Sequence, residues 1–228
     1  MKKFNILKNL TYKFVYRGNI SYSQNGEDLS ISRLFENVQD GFYVDIGAHH
    51  PMRFSNTYLF YQKGWSGINI DAQPGSMRLF KKKRPRDINI EVGIGTSSEE
   101  MLFYQFNESA LNTFNLPEAD SKVSEKYMHN EGRLVKIRRL DSILKESMPQ
   151  EKEIDFMSID VEGNELDVLL SNDWNLFRPK YLLLEVLRSD LSEILKNPST
   201  LFLNNVGYIP IAKVFDTVIY EVKANYFG

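Results

Sequence analysis

Four apolar runs of strand length each close on a carboxylate: FYVDIG at Asp45, SGINID at Asp71, IDFMSID at Asp160 and KYLLLEV at Glu185. Helical patterns separate them. Continuous apolar strands alternating with helices build a mostly parallel sheet. The last two runs, YIPIAKVF and TVIYEVK, are joined by a short turn. A parallel crossover needs roughly a dozen residues or more, so this pair is predicted to be antiparallel. In open sheets of this kind ligands bind outside the carboxyl ends of the strands. A single acid at such an edge is readily a helix cap, but four at one edge point to a built site.

The segments between the strands complete the expectation. Ser23 is placed to cap a helix carrying Glu27 and Asp28 in its first turn, with Ile31, Leu34, Phe35 and Val38 as its core-facing stripe. RFSNTYLFYQKG reads as the next helix, ended by Gly64, and PGSMRLFKKKR as a short one stopped at Pro85. DINIEVGIG is a third strand, and EEMLFYQF alternates like an edge or hairpin strand. NESALNTFNLP is a polar loop, and residues 117–132 read as a mobile excursion. RLVKIRRLDSIL is a strand entering a helix capped by Asp141. Helices are expected through Leu166–Leu170, near 189–197 and around 199–206. TYLFYQKGW reads as core packing, and the block Lys81–Arg86 as the exposed end of a helix.

The 228 residues suit one domain, taken as 21–228 behind a basic segment 1–20. That segment carries five basic residues and no acid; it reads as a solvated tail or short helix, with contact to a membrane surface or a biosynthetic enzyme as the alternative. It lacks the apolar centre of a signal peptide, and no run approaches a membrane span, so a cytoplasmic location is expected. A net charge of −2 gives no hint of a nucleic-acid partner. The absence of cysteine removes disulfides, thiolate nucleophiles and cysteine-based metal sites. Oligomeric state is not readable from these features.

The first acidic strand runs into YVDIGAHHP. Gly47 lets the backbone come close to a ligand. Asp71, 26 residues after Asp45, is placed to accept hydrogen bonds from ribose hydroxyls. The turn is not G-x-G-x-x-G, since His49 stands where the second glycine would be. A pyrophosphate therefore fits poorly, and a cofactor with adenosine and no phosphate fits better. S-adenosylmethionine is such a cofactor, its amino-acid end meeting the glycine turn and its ribose Asp71.

The motifs SYSQNGEDL, YVDIGAHHP, GWSGINIDAQPGS, FNESALNTF and IDFMSIDVEGNELDVL together resemble the FkbM-type family of S-adenosylmethionine-dependent methyltransferases. The likeness runs from about Ser21 to Val186. Its most specific part is DIGAHHP followed about 110 residues later by SIDVEGNE. The resemblance implies a Rossmann-like class I methyltransferase fold: a mostly parallel seven-stranded sheet, the last strand antiparallel, helices on both faces. It also implies O-methylation of a sugar or glycan-related hydroxyl. By position it puts Asp45, Gly47, Ala48 and His49 around the methionine part of the cofactor, Asp71 on the ribose and Gly93 by the adenine. Gln24 would reach the cofactor from the first helix. EVGIG has no polar side chain at its tip, so backbone groups would read the adenine.

A sugar hydroxyl needs its proton removed as it attacks. Asp160, Glu162, Glu185, His49 and His50 are the candidate bases, with Asp160 first because it ends a buried strand at the ligand edge. Glu162 supports it and His50 faces substrate. Asn112 can hydrogen-bond an acceptor hydroxyl, as can Glu185. Asp160 and Glu185 can also hold a divalent cation such as magnesium. Two other classes remain open on the residues alone: a nucleotide-dependent oxidoreductase on the same sheet, and a non-catalytic binding module.

Overall fold

The computed structural model describes residues 18–187 and 190–223. Residues 1–17, and with them most of the basic segment, lie outside the described residues. The main sheet has seven strands: β1 (Phe42–Ile46), β2 (Ser66–Asp71), β3 (Ile88–Glu91), β7 (Phe156–Ile159), β8 (Tyr181–Glu185), β9 (Tyr208–Val214) and β10 (Thr217–Val222). Their order is β3-β2-β1-β7-β8-β10-β9. All neighbours through β8 are parallel, and β10 runs antiparallel to both β8 and β9. The expected mostly parallel sheet with an antiparallel end is therefore present.

Side chains alternate across each strand, and the two faces feed separate cores. Phe42, Val44 and Ile46 of β1 join Leu182 and Leu184 of β8 on one face. That face is covered by α5 (Leu140–Ser147), α6 (Glu165–Leu170) and α8 (Pro198–Asn205) through Leu140, Ile143, Leu144, Val168, Leu169 and Leu203. Tyr43 and Leu183 point the other way, where α1 (Glu27–Ser32) and α2 (Tyr58–Gln62) supply Ile31, Phe60 and Tyr61 around Trp65 and Phe156. TYLFYQKGW is thus core packing.

Several local expectations change. DINIEVGIG breaks at Val92: β3 belongs to the main sheet, whereas β4 (Gly93–Ile94) pairs with β6 (Arg133–Arg138) in a three-stranded sheet completed by β5 (Glu100–Phe103). The first helix stops at Ser32 and tightens into a 3₁₀ turn over Arg33–Phe35. Ile31 and Phe35 stay buried, but that change of period rotates Leu34 and Val38 to the surface. Residues 117–132 are not a featureless excursion, since α4 (Leu116–Lys122) forms there, capped by the Asn115 side chain. Asp141 is not a cap; it lies in the first turn of α5 and pairs with Arg139. In the basic block Lys81–Lys83, at the end of α3 (Met77–Lys83), are exposed, but Arg84 is fully buried. The last short helix before α8 is α7 (Leu191–Ile194), held by a capping box between Asp190 and Glu193. Among the described residues no helix is long and apolar enough to cross a membrane.

Candidate active site

A cavity of about 360 Å³ opens at the carboxyl ends of β1, β2, β7 and β8. It lies where β1 is flanked by β2 on one side and β7 on the other, the switch point at which open α/β sheets hold ligands. Gly47, Asp71, Gly93, Asp160 and Glu185 line it from the strand ends. The loop 108–112 and residues Gln24, Asn25 and Glu27 line it from outside the sheet.

The glycine turn is built for the chain itself. Gly47 has φ 79°, and a Cβ there would lie 1.7 Å from the Asp160 carbonyl oxygen. The close approach that demands glycine is between β1 and β7, not toward a ligand. The turn's amides are also bonded internally. Gly47 and Ala48 donate to the Ile70 carbonyl (3.0 and 3.1 Å), His50 donates to Ala48 (2.6 Å), and His49 donates to Asp71 Oδ2 (2.8 Å). These four amides are therefore not free donors for an amino-acid end.

Asp71 closes β2 with each carboxylate oxygen accepting one amide, from His49 and from Gln73 (both 2.8 Å). Each oxygen keeps a lone pair, the capacity two ribose hydroxyls require. Burial raises this carboxyl, while the two amides pull it back down. Beside it Val92, Gly93, Ile94, Phe103 and Phe114 make an apolar wall, with the two phenyl rings 4.7 Å apart. A Cβ on Gly93 would come within 2.7 Å of Phe114 and 2.5 Å of Ile137. This half of the cavity fits an adenosine, ribose at Asp71 and base against the wall.

The other half is acidic. Asp160, Glu162 and Glu185 bring carboxylate oxygens within 4.8 Å of one another. Asp160 is exposed where it lines the cavity, and Glu162 and Glu185 are half-buried. Desolvation and then its acidic neighbours push Asp160 and Glu185 well above the usual carboxylate range. Asp160 does not cap the helix that follows: Glu165 accepts the Val161 (3.2 Å) and Gly163 (3.0 Å) amides instead. Among the described residues Glu185 Oε2 is buried without a hydrogen-bond partner. Glu162, in the left-handed region at φ 55°, pairs with Lys122, which also reaches Glu118 at 3.3 Å.

Three expected site residues stand elsewhere. Asp45 does not line the cavity. Its Oδ2 accepts from Thr57 Oγ1 (2.5 Å), which itself receives the guanidinium of buried Arg84 (3.0 Å). Asp45 shares a strand face with Tyr43, so its side chain points into that network, and burial pushes its carboxyl up to about 6. Ala48 packs on Met77 and Phe80 rather than on the cavity. His50 does not line the cavity, and its Nδ1 accepts the amides of Met52 (3.1 Å) and Arg53 (2.9 Å). That nitrogen shapes a turn and is not available as a base.

His49 does line the cavity. Its Nε2 meets Ser109 Oγ at 3.0 Å, its Nδ1 is buried without a partner among the described residues, and burial lowers its pKa to about 4, so the ring is neutral. Asn112 lines the cavity too, but it chiefly holds the loop, accepting from the Phe106 amide (2.8 Å) and donating to Gln73 (3.0 Å). Glu27, Arg53, Ser109, Phe114 and Lys122 were not anticipated. Glu27 lies in the SYSQNGEDL motif and Ser109 and Phe114 in FNESALNTF, but local spacing does not show that they reach the cavity; Arg53 and Lys122 lie outside the quoted motifs.

The sequence matches the methyltransferase FkbM domain over residues 45–210. A comparison with curated proteins finds no match. Among solved structures the chain is similar to a TehB-like SAM-dependent methyltransferase from Corynebacterium glutamicum, at 9% identity and TM-score 0.44 over 96% of this chain and 97% of that one. It is also similar to the fibrillarin pre-rRNA processing protein of Methanococcus jannaschii, at 16% identity and TM-score 0.43 over 81% and 66%. A third likeness is a glycopeptide N-methyltransferase, MtfA, complexed with sinefungin, at 11% identity and TM-score 0.42 over 91% and 89%. Likeness at this level says nothing about acceptor or chemistry. The domain match spans most of the chain, and with the sheet order and the cavity at its switch point the chain belongs to the FkbM family of S-adenosylmethionine-dependent methyltransferases.

Proposed function

We propose that this chain methylates a hydroxyl of a sugar or glycan-related acceptor, with Asp160 taking the proton. The observation that carries the reading is that Asp160 lines the cavity beside Glu162 and Glu185, while the amides of the loop after it are taken by Glu165. The cofactor supplies an electrophilic methyl carbon on a sulfonium. The chain supplies position: Asp71 holds the ribose, the Phe103–Phe114 wall holds the base, and the acid cluster receives the acceptor. With the cofactor bound, Asp160 would take the acceptor hydroxyl's proton as that oxygen accepts the methyl group and the sulfur keeps the bonding pair. Glu185, Glu162 and Asn112 can accept or donate hydrogen bonds to neighbouring hydroxyls, which suits a polyhydroxy acceptor. His49 Nδ1 is a further buried atom for a ligand hydrogen bond. Gln24 lines the same cavity and remains a cofactor contact in this reading.

A second reading adds a divalent cation such as magnesium. It is favoured by the three converging carboxylates and the unpartnered Glu185 Oε2. Such an ion would orient two acceptor oxygens and acidify one. Loss of turnover with a chelator, restored by magnesium, supports it; turnover indifferent to the chelator removes it.

The test of the main reading is a screen of sugar nucleotides and glycans for S-adenosylhomocysteine release, repeated with Asp160→Asn. The expected result is turnover with a sugar acceptor, reduced about 10²–10⁴-fold in the variant while S-adenosylhomocysteine affinity stays the same. Release with amine acceptors alone overturns the hydroxyl assignment. A chain that binds NAD(P) in place of S-adenosylhomocysteine is an oxidoreductase, and one that binds neither is a binding module.

A further inference from the structure

The methionine end of the cofactor is a zwitterion: its carboxylate needs donors, and its ammonium needs an acceptor. The amides of residues 47–50 are bonded within the protein, and Asp45 faces Thr57 and Arg84. We propose that Glu27 takes the ammonium of the cofactor's methionine part. This rests on the reading that the cavity holds S-adenosylmethionine.

Glu27 lines the cavity and is only 2% exposed. Among the described residues its carboxylate accepts the Asn25 amide (2.8 Å), and no Lys, Arg or His forms an ion pair with it. A buried carboxylate without a cation is costly, so it calls for a cationic partner. Its neighbour Asp28 has a different job. Asp28 accepts from Ser21 Oγ, Ser23 Oγ and the amides of Tyr22 and Leu29, and so ties down the loop that carries Glu27.

Position along the sheet selects the ammonium rather than another part of the cofactor. The Ser21–Gly26 loop docks on the segment after β1: the Ser55 amide donates to the Tyr22 carbonyl (3.0 Å), and the Tyr22 and Tyr58 rings meet edge to face at 4.8 Å. Asp71 and Gly93 lie on the β2–β3 side. A cofactor with its ribose at Asp71 and its base by Gly93 extends its other end toward β1, and so toward Glu27. Arg53, on that same post-β1 segment, also lines the cavity and offers the opposite charge to the methionine carboxylate; its pair with Glu108 is largely open to solvent.

The test is calorimetric titration of the full chain with S-adenosylhomocysteine and with its deamino analogue, which keeps adenosine and carboxylate and lacks only the amine. The wild type is expected to prefer S-adenosylhomocysteine by about 10- to 100-fold, the range of a charge-assisted hydrogen bond. Glu27→Gln is expected to bring the two affinities together, and Glu27→Asp to keep part of the preference. A wild type that does not distinguish the two ligands overturns the proposal with no variant needed. A Glu27→Gln protein that keeps the full preference also overturns it, even if both affinities drop, because loss without discrimination is a structural effect. If the wild type binds neither ligand, the cofactor reading itself falls; if it binds S-adenosylhomocysteine and the preference ignores Glu27, only the Glu27 assignment falls.

Discussion

Asp45 and Asp160 carry the same local signature, an apolar run closing on aspartate, and they do different jobs. Asp45 is the penultimate residue of β1, held in the pleat with its side chain normal to the sheet and covered there by Thr57 and Arg84. Asp160 stands one residue past the end of β7, beyond the last paired position, and faces the cavity. Asp71 and Glu185 are the final residues of their strands and also line it. An offset of one residue therefore sorts the four acids. Asp71→Ala should weaken S-adenosylhomocysteine binding by at least about tenfold in titration calorimetry, since each hydrogen bond to a charged group contributes ~1.5–3 kcal/mol. Asp45 makes a different prediction. Its carboxyl is raised from 3.8 to about 6, so the folded state holds a proton that the unfolded state has released across that window. Its contribution to stability is complete below pH ~4 and disappears as pH rises through ~6. The stability of the wild type minus that of Asp45→Asn should fall by up to ~3 kcal/mol between those limits in denaturant titrations. A flat difference would mean that Asp45 is ionised throughout.

At the level of elements, the strands were readable and the short helices less so. Apolar runs and the short final turn are local signals, and both survive in the seven-stranded sheet. The segment 117–132 was harder to read because its charges mask a cap. The sequence NLPE puts Asn115 at the cap, Pro117 in the first turn and Glu118 where its amide meets the cap (3.1 Å). The helix it starts delivers Lys122 to Glu162 at the acidic end of the cavity. Both side chains are mostly covered, 12% and 15% exposed, so removing the cation leaves a carboxylate without its counter-charge. Lys122→Met should cost about 1–3 kcal/mol in thermal unfolding and lower turnover, with Lys122→Arg recovering most of both. Equal melting temperatures for wild type and Lys122→Met would show that the pair holds nothing in place. The break of DINIEVGIG into β3 and β4 was not readable either, because the small sheet that captures Gly93 and Ile94 comes from β6, far along the chain.

For the molecule as a whole, cofactor binding should be coupled to stability. At a ligand concentration about 100 times Kd, S-adenosylhomocysteine should stabilise the fold by ~2.7 kcal/mol, which raises Tm by roughly 5–10 °C for a chain of this size. No shift in scanning calorimetry would count against the cavity as the cofactor site. The sheet order is what assembles that cavity. β1 lies between β2 and β7, so the chain leaves β1 in one direction and returns on its other side after more than eighty residues. The sequence by itself determined the fold class, the antiparallel end and the edge at which the acids gather, because run length, apolar pattern and turn length are properties of neighbouring residues. Only the tertiary structure decided which carboxylates face the cavity, that the glycine turn's amides are already bonded, and that Glu27 and Lys122 belong to the site. Each of those outcomes depends on strand register and on partners distant in the chain, and a side chain's local spacing carries neither.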